Sequence, residues 1–197
     1  MNFSGDCLLS EKLHHINTSF VTMRPLTVND VEFIYSLRRS ARAAHMKPIS
    51  DDIEDQYRFF SEYETRFLRG DEIYYLITDR NTASRVGVVR LTHITNPLHF
   101  GWESMITIPE VSGTVVIDVF CTVYYCGFEI LKREYCRSFE VPKKLHRVVA
   151  LHKQMGLVEL VEENEEYFKY QIPRDHYFKR IGWLRRLGFG NVEVVVE

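Results

Sequence analysis

The sequence predicts a single α/β domain, α+β in the wider sense, with strands and helices interleaved along the chain. Three observations carry that reading. Segments with strand-like alternation and segments with helical periodicity succeed one another from end to end. Three consecutive strand-like runs, EIYYLIT, RVGVVRLT and GWESMITI, are joined by the turn DRNTAS and the link HITNPLHF, the pattern of an antiparallel meander. No repeat, low-complexity tract or linker divides the 197 residues, a length that suits one core and is short for two.

The elements follow in order. Residues 1–19 show no clear period and read as an N-terminal arm. FVTMRPL, from Phe20 to Leu26, alternates and ends at a proline, so it reads as a strand. Thr27 is a candidate N-cap with Asp30 three residues on, and Val31, Ile34 and Tyr35 recur at helical spacing to Arg39. RRSARAAHMKPIS is polar and broken by Pro48, which makes it a loop. Ser50 or Asp51 caps a second helix over Ile53–Leu68, stopped by Gly70. After the meander, EVSGT is a short loop and Val116–Arg133 a helix. CRSFEV is a further strand, and PKKLHRVVALHKQMG a helix with Pro142 near its first turn and Gly156 as its stop. VELVEE and EYFKYQI form a closing antiparallel pair. RDHYFKRIGWLRRLG reads as one more helix and NVEVVVE as a last strand.

Composition excludes several classes of function. A hydrophobic fraction of 45% and a charged fraction of 26% are ordinary globular values, which argues against disorder. A net charge of −2 argues against broad nucleic-acid binding. No run approaches the ~18 apolar residues of a membrane span, and the N-terminus lacks an apolar core with a cleavage motif. Cys7, Cys121, Cys126 and Cys136 have no C-x-x-C spacing. They read as small core residues in a reducing cytoplasm, neither a disulfide framework nor a zinc site. Aromatic content of 13% suits a recognition cleft.

Three segments carry a resemblance. MRPLTVNDVEFIYSLR, GWESMITIPEVSGTVVIDVFCTVYYCGFEIL and FEVPKKLHRVVALHKQMGL, the last ending in Lys-x-x-Gly-hydrophobic, resemble the GCN5-related N-acetyltransferase superfamily over most of Phe20–Ile172. RLTHITNPLHFGWESMI and RVVALHKQMGL look like relatives that acylate amino sugars of surface polysaccharides. The resemblance implies a mixed, mostly antiparallel sheet flanked by helices, with an extra C-terminal helix and strand. It implies residues 20–172 as the acyltransferase domain and 173–197 as an extension packed on the domain or on a second subunit of a homodimer. It further implies acetyl-CoA or another acyl-CoA as donor and the amine of a small-molecule substrate, a nucleotide-linked amino sugar, as acceptor.

Two departures stand out. The family's pyrophosphate loop is glycine-rich because backbone N–H groups must approach phosphate closely at a helix N-terminus. Here Ser112-Gly113-Thr114-Val115-Val116-Ile117 keeps one glycine and adds β-branched residues. Leu145 stands where many relatives place a cofactor-contacting Asn. The resemblance nonetheless puts the cofactor on Ile106, Ile108, Val111, Ser112, Gly113, Thr114, Val115, Leu145 and Val148. Asp118, in the first turn of the following helix, would repel a nearby phosphate.

Acyl transfer to an amine needs a proton acceptor, donors for the oxyanion and an acid for the thiolate. Glu103 is the candidate base, by resemblance beside the thioester, and alternation faces it away from Trp102 and Ser104. Its alternative is a solvated glutamate paired with an arginine. His152 shares an inward helical face with Leu145, Val148 and Val149 and stands where relatives carry an acidic Tyr. An imidazole can hold a proton near neutral pH, and the alternative is a core histidine. Glu140 and Trp102 are candidate substrate contacts. Arg38, Arg39, Arg42 and His45 form a basic edge suited to nucleotide phosphates, or a solvated helix end. Two other readings stay open: a non-catalytic binding protein of the same fold, favoured by a plugged gap between the fourth and fifth strands, and a peptide or protein N-acetyltransferase with an acidic or neutral groove.

Overall fold

A computed structural model describes residues 13, 15–44 and 46–195, and the meander lies at its centre. β3 (Glu72–Asp79), β4 (Ser84–Thr92) and β5 (His99–Thr107) pair antiparallel. Alternation sends Tyr74, Leu76, Val88 and Ile106 to one face and Ile73, Tyr75, Ile77, Val89, Leu91 and Phe100 to the other. Both faces are covered, which is why EIYYLIT reads as a nearly continuous apolar run.

The sheet extends both ways. On one side lie β2 (Val21–Pro25), β1 (His15–Asn17) and the C-terminal β9 (Glu193–Val195). On the other lie β6 (Tyr135–Pro142), β8 (Tyr167–Pro173) and β7 (Glu159–Glu163). Among the described residues nine strands run β7-β8-β6-β5-β4-β3-β2-β1-β9, and only the β5–β6 pair is parallel. The expected mixed, mostly antiparallel sheet is present. Within the stretch read as an arm, residues 1–19, His15–Asn17 form β1; residues 1–12 and 14, Cys7 included, lie outside the described residues.

Two helices cover the first face. α1 (Val31–Arg39) buries Val31, Ile34 and Leu37, and α2 (Ile53–Leu68) buries Phe60 and Tyr63. Full burial of such side chains stabilises by about 1.5–3 kcal/mol each. Thr27 and Asp30 form a capping box around the short 3-10 turn Val28–Asp30 that leads into α1. Asp52, and neither Ser50 nor Asp51, caps α2 by accepting from the Glu54 amide. The loop between them contains a 3-10 turn at Ala41–Ala43.

The second face carries α3 (Gly113–Tyr125), α4 (His146–Met155) and α5 (Arg174–Arg186). α3 starts three residues earlier than its sequence period suggests and ends in a π turn at Cys126–Ile130. A Cβ on Gly127 would stand 2.1 Å from the Phe100 ring, so only glycine lets that ring approach. Pro142 closes β6, and α4 begins at His146; the placement of Pro142 in the first turn of a helix is corrected. The expectation that no segment is long and apolar enough for a membrane also fails on composition: Gly113–Ile130 is, although 67% of that window is buried inside the fold.

The chain ends are tied to α3 by Asp118. Its side chain is fully buried and accepts from Thr18 Oγ1, from the Phe20 amide at 3.3 Å and from the Gly190 amide at 2.9 Å. Burial pushes its carboxyl pKa up, against those hydrogen bonds. Asp118 therefore faces away from any ligand at the start of α3, and the expected repulsion of phosphate does not arise. α5 buries Tyr177, Ile181 and Leu184, and Arg180 donates to the Met155 carbonyl at 3.0 Å, completing the end of α4.

Candidate active site

β5 and β6 part almost as soon as they meet. Their ladder consists of His99↔Tyr135 and Phe100↔Cys136. The cause lies on the other edge of β5: Glu103 faces Arg90 and Ile106 faces Val88, so Ser104 and Met105 share the place opposite Val89. Ser104 takes φ 55, a conformation that costs a non-glycine residue about 1 kcal/mol or more. Such a bulge bends and twists its strand, here away from β6.

Beyond the bulge the Ile108 amide donates to the Val86 carbonyl at 2.9 Å. Antiparallel ladders alternate, so Ile106 also points its backbone at β4, and Thr107 points its own toward the gap. The side chain of Ile106 is buried against α1 and α2. Ile106 and Ile108 thus do not present the strand edge expected of them. Thr107 does, and the bulge that shifts the parity leaves no mark in the sequence.

His152 lies beneath the gap on α4, 1% exposed. Its ring is boxed by Phe139 at 5.1 Å, Phe120 at 5.3 Å, Tyr170 at 6.1 Å and Trp102 at 6.2 Å. Burial lowers its pKa to about 4, so the imidazole is neutral at neutral pH. The expected proton store near pH 7 is therefore corrected. Among the described residues, His152 Nε2 and Tyr170 Oη are buried polar atoms without a hydrogen-bond partner. Trp102, expected as a substrate contact, packs against Phe120 and Phe139 in this cluster and belongs to the floor of the gap.

The far end of the gap is the start of α3. Ser112 Oγ accepts from the Val115 amide at 3.2 Å and the Ser112 carbonyl from Val116 at 3.3 Å. The first-turn amides of Gly113 and Thr114 have no intrahelical acceptor. A Cβ on Gly113 would meet nothing within 4 Å, so the space above it is open. Val111 and Thr114 are half-buried, while Val115 is buried in the core and offers backbone alone. Leu145 occupies the N-cap of α4 with no side-chain cap, and Val148 is half-buried behind it.

Glu103 stands at the lip of a 570 Å³ cleft on the α1–α2 side, together with Ser104, Arg90, Tyr74, Arg38 and Lys47. The bulge turns both Glu103 and Ser104 toward that cleft, where alternation had set them apart. The Glu103 carboxylate is exposed and lies 2.6 Å from Arg90. Arg38 lines the cleft and donates to the Lys47 carbonyl at 2.6 Å. Arg42 leaves this group: it reaches Thr107 Oγ1 at 3.3 Å and the Ile108 carbonyl at 3.4 Å, beside the strand edge. Arg39 pairs with Asp51, and His45 lies outside the described residues. Glu140 is exposed on β6 opposite Lys169 of β8, away from the cleft, which corrects its reading as a substrate contact.

The elements of a coenzyme A site are thus present and fit that group. They are a free strand edge, open helix-terminal amides at a glycine with room above it, and an orphaned imidazole nitrogen between them.

No protein-family model and no curated protein sequence matches the chain. Solved structures do. One described as the apo form of FdhC, a nucleotide-linked sugar GNAT, is similar at 29% identity and a TM-score of 0.73, over 88% of this chain and 98% of that one. Spermidine N-acetyltransferase from Vibrio cholerae, in complex with CoA and spermine, is similar at 20% identity and 0.61, over 80% and 98%. The Campylobacter jejuni N-acetyltransferase PseH is similar at 15% and 0.56, over 78% and 98%. The last two speak to the fold alone. The overlap spans nearly the whole of each neighbour: the chain has the fold of the GCN5-related N-acetyltransferase superfamily, and the solved structures it resembles are N-acetyltransferases.

Proposed function

We propose that the protein is an acyl-CoA-dependent N-acyltransferase, with acetyl-CoA as donor, acting on the amine of a nucleotide-linked amino sugar. The observation that carries the reading is the parting of β5 from β6 after two residue pairs, with His152 Nε2 unpartnered beneath the opening. The sugar acceptor is supported by the 29% identity to a nucleotide-linked sugar GNAT.

When bound, the coenzyme supplies an acyl thioester. The Gly113 and Thr114 amides would hold its pyrophosphate, and the free backbone of Thr107 would hold its arm. Glu103 accepts a proton from the acceptor ammonium, and Arg90 fixes the carboxylate at the cleft mouth. The amine forms the new C–N bond as the C–S bond breaks. Of the two protons the ammonium loses, one ends on the thiolate and one in solvent. His152, kept neutral by burial, offers the departing sulfur a hydrogen bond from Nε2–H.

A second reading, a binding protein without turnover, is favoured by one observation. Trp102 and Phe139 meet across the opening at 5.3 Å and fill its floor. Calorimetric titration with acetyl-CoA tests the first half of the proposal. Saturable binding is expected, and absence of both heat and thermal shift at millimolar ligand would sink it. Binding without product in any acceptor panel would select the second reading.

We carry three further proposals with this one. The buried, free Cys121, Cys126 and Cys136 suit a reducing cytoplasm. The burial of α3 suits a core helix, with no membrane span. Phe178, Trp183 and Leu187, exposed on and beside α5, suit a homodimer contact. Scattering on the wild type and on the surface variants Phe178→Glu and Trp183→Glu tests the last.

A further inference from the structure

The face of the sheet that carries Glu103 holds a second group of side chains at the start of β5 and β6. Parity puts His99, Gly101 and Glu103 on one side of β5, and the parallel pair His99↔Tyr135 brings Tyr135 and Arg137 to that side. The rings of His93 and His99 stand 5.4 Å apart, and those of His99 and Tyr135 are stacked at 5.4 Å. All three are half-buried, and Arg137 is exposed beside them.

Arg137 Nη1 lies 2.5 Å from His93 Nε2. A guanidinium can only donate, so that nitrogen accepts and the ring is neutral. Burial, and then the Arg137 charge, lower the His93 pKa in the same direction. Gly101 makes the arrangement possible: a Cβ there would stand 2.8 Å from Thr92 Oγ1 and 3.0 Å from Arg137 Cδ. The stem of Arg137 therefore lies flat across the strand, aimed along the sheet at His93. Among the described residues His93 is its one hydrogen-bond partner and no carboxylate pairs with it.

We propose that Arg137, with the stacked rings of His93, His99 and Tyr135, forms the subsite for the nucleoside diphosphate of the acceptor, a reading that rests on the proposed function. A guanidinium fork free of carboxylates suits a phosphate, and a ring ladder beside it suits a nucleobase or ribose. Glu103 lies two residues beyond Gly101, ~7 Å along β5. That is about the span of one pyranose ring between its amine and its anomeric phosphate. The sugar then bridges from Arg137 to the base at Glu103, and the nucleotide rests outside the gap that takes coenzyme A.

The test is titration of UDP, dTDP and GDP into the full chain, with and without saturating coenzyme A, for wild type, Arg137→Ala and Arg137→Gln. Thermal melts check folding. At least one nucleotide is expected to bind with coenzyme A present, and both variants to weaken it by about 10- to 100-fold. The KM for a nucleotide-linked amino sugar should rise with it, while the KM for acetyl-CoA stays put. Failure of all three nucleotides to bind wild type, or binding unchanged in both variants, overturns the subsite. Those outcomes leave acetyl-CoA binding intact, whereas loss of acetyl-CoA binding in wild type defeats the proposed function itself.

Discussion

Glu103 on β5 and Arg90 on β4 face each other carboxylate to guanidinium at 2.6 Å, and Arg90 also reaches Glu72 on β3 at 3.7 Å. The arginine links three strands and holds one carboxylate at the mouth of the cleft. An exposed pair of this kind adds at most about 1 kcal/mol to stability. Its consequence is positional.

Glu103→Gln keeps the shape and removes the proton acceptor. Turnover is expected to fall by about 10²–10⁴-fold. Acetyl-CoA affinity and melting temperature should hardly move. Steady-state rates read beside calorimetric titration check this, and a normal rate would return Glu103 to the role of a strand glutamate paired with Arg90.

His152 gives a pH signature in stability. Its pKa is about 4 in the fold against the ordinary 6.5, so between those values the unfolded chain binds a proton that the folded one refuses. Stability is thus full above pH 6.5 and falls as pH drops toward 4, by about 3 kcal/mol in all. His152→Phe should flatten that part of the pH profile in urea unfolding. It should also lower turnover per folded molecule, which a merely structural histidine would not do.

Much of this was legible in the sequence, for identifiable reasons. β3, β4 and β5 announce themselves because each is an apolar, β-branched or aromatic run of eight or nine residues bounded by turn residues. β1 does not, because three residues are too few to show a period, and its partner β9 lies at the other end of the chain. The bulge is silent: Ser104 adopts φ 55 with no glycine to mark it. That silence put Ile106 where Thr107 belongs. The inward face of His152 followed from helical spacing, but its neutrality depends on Trp102, Phe120, Phe139 and Tyr170 converging from β5, α3, β6 and β8. The partners of Asp118 are 72 to 100 residues away, beyond any local pattern.

Asp118→Ala removes the acceptor for Thr18 Oγ1, the Phe20 amide and the Gly190 amide at once. Stranding buried donors costs about 1–3 kcal/mol each, partly relieved by water. A loss of about 2–4 kcal/mol in denaturant unfolding is expected, with acetyl-CoA affinity of the folded protein unchanged. A selective loss of affinity would contradict its placement away from the start of α3.

Gly113→Val separates packing from ligand approach. The space around a Cβ at this position is open, so stability should stay within about 0.5 kcal/mol. If the pyrophosphate rests on the Gly113 and Thr114 amides, the added side chain should weaken acetyl-CoA by about tenfold or more. Equal affinity in variant and wild type would move the phosphates elsewhere.

The central claim is acyl transfer to a sugar amine, and its most direct measurement is thiol release from acetyl-CoA with a panel of nucleotide-linked amino sugars. Mass spectrometry reads the acceptor in the same tubes. The account predicts thiol release that depends on the acceptor, equals in amount the acetylated sugar nucleotide formed, and collapses in Glu103→Gln. Acetyl-CoA that binds yet yields neither thiol nor acetylated sugar with any acceptor, while a polyamine or peptide control is equally inert, would contradict it.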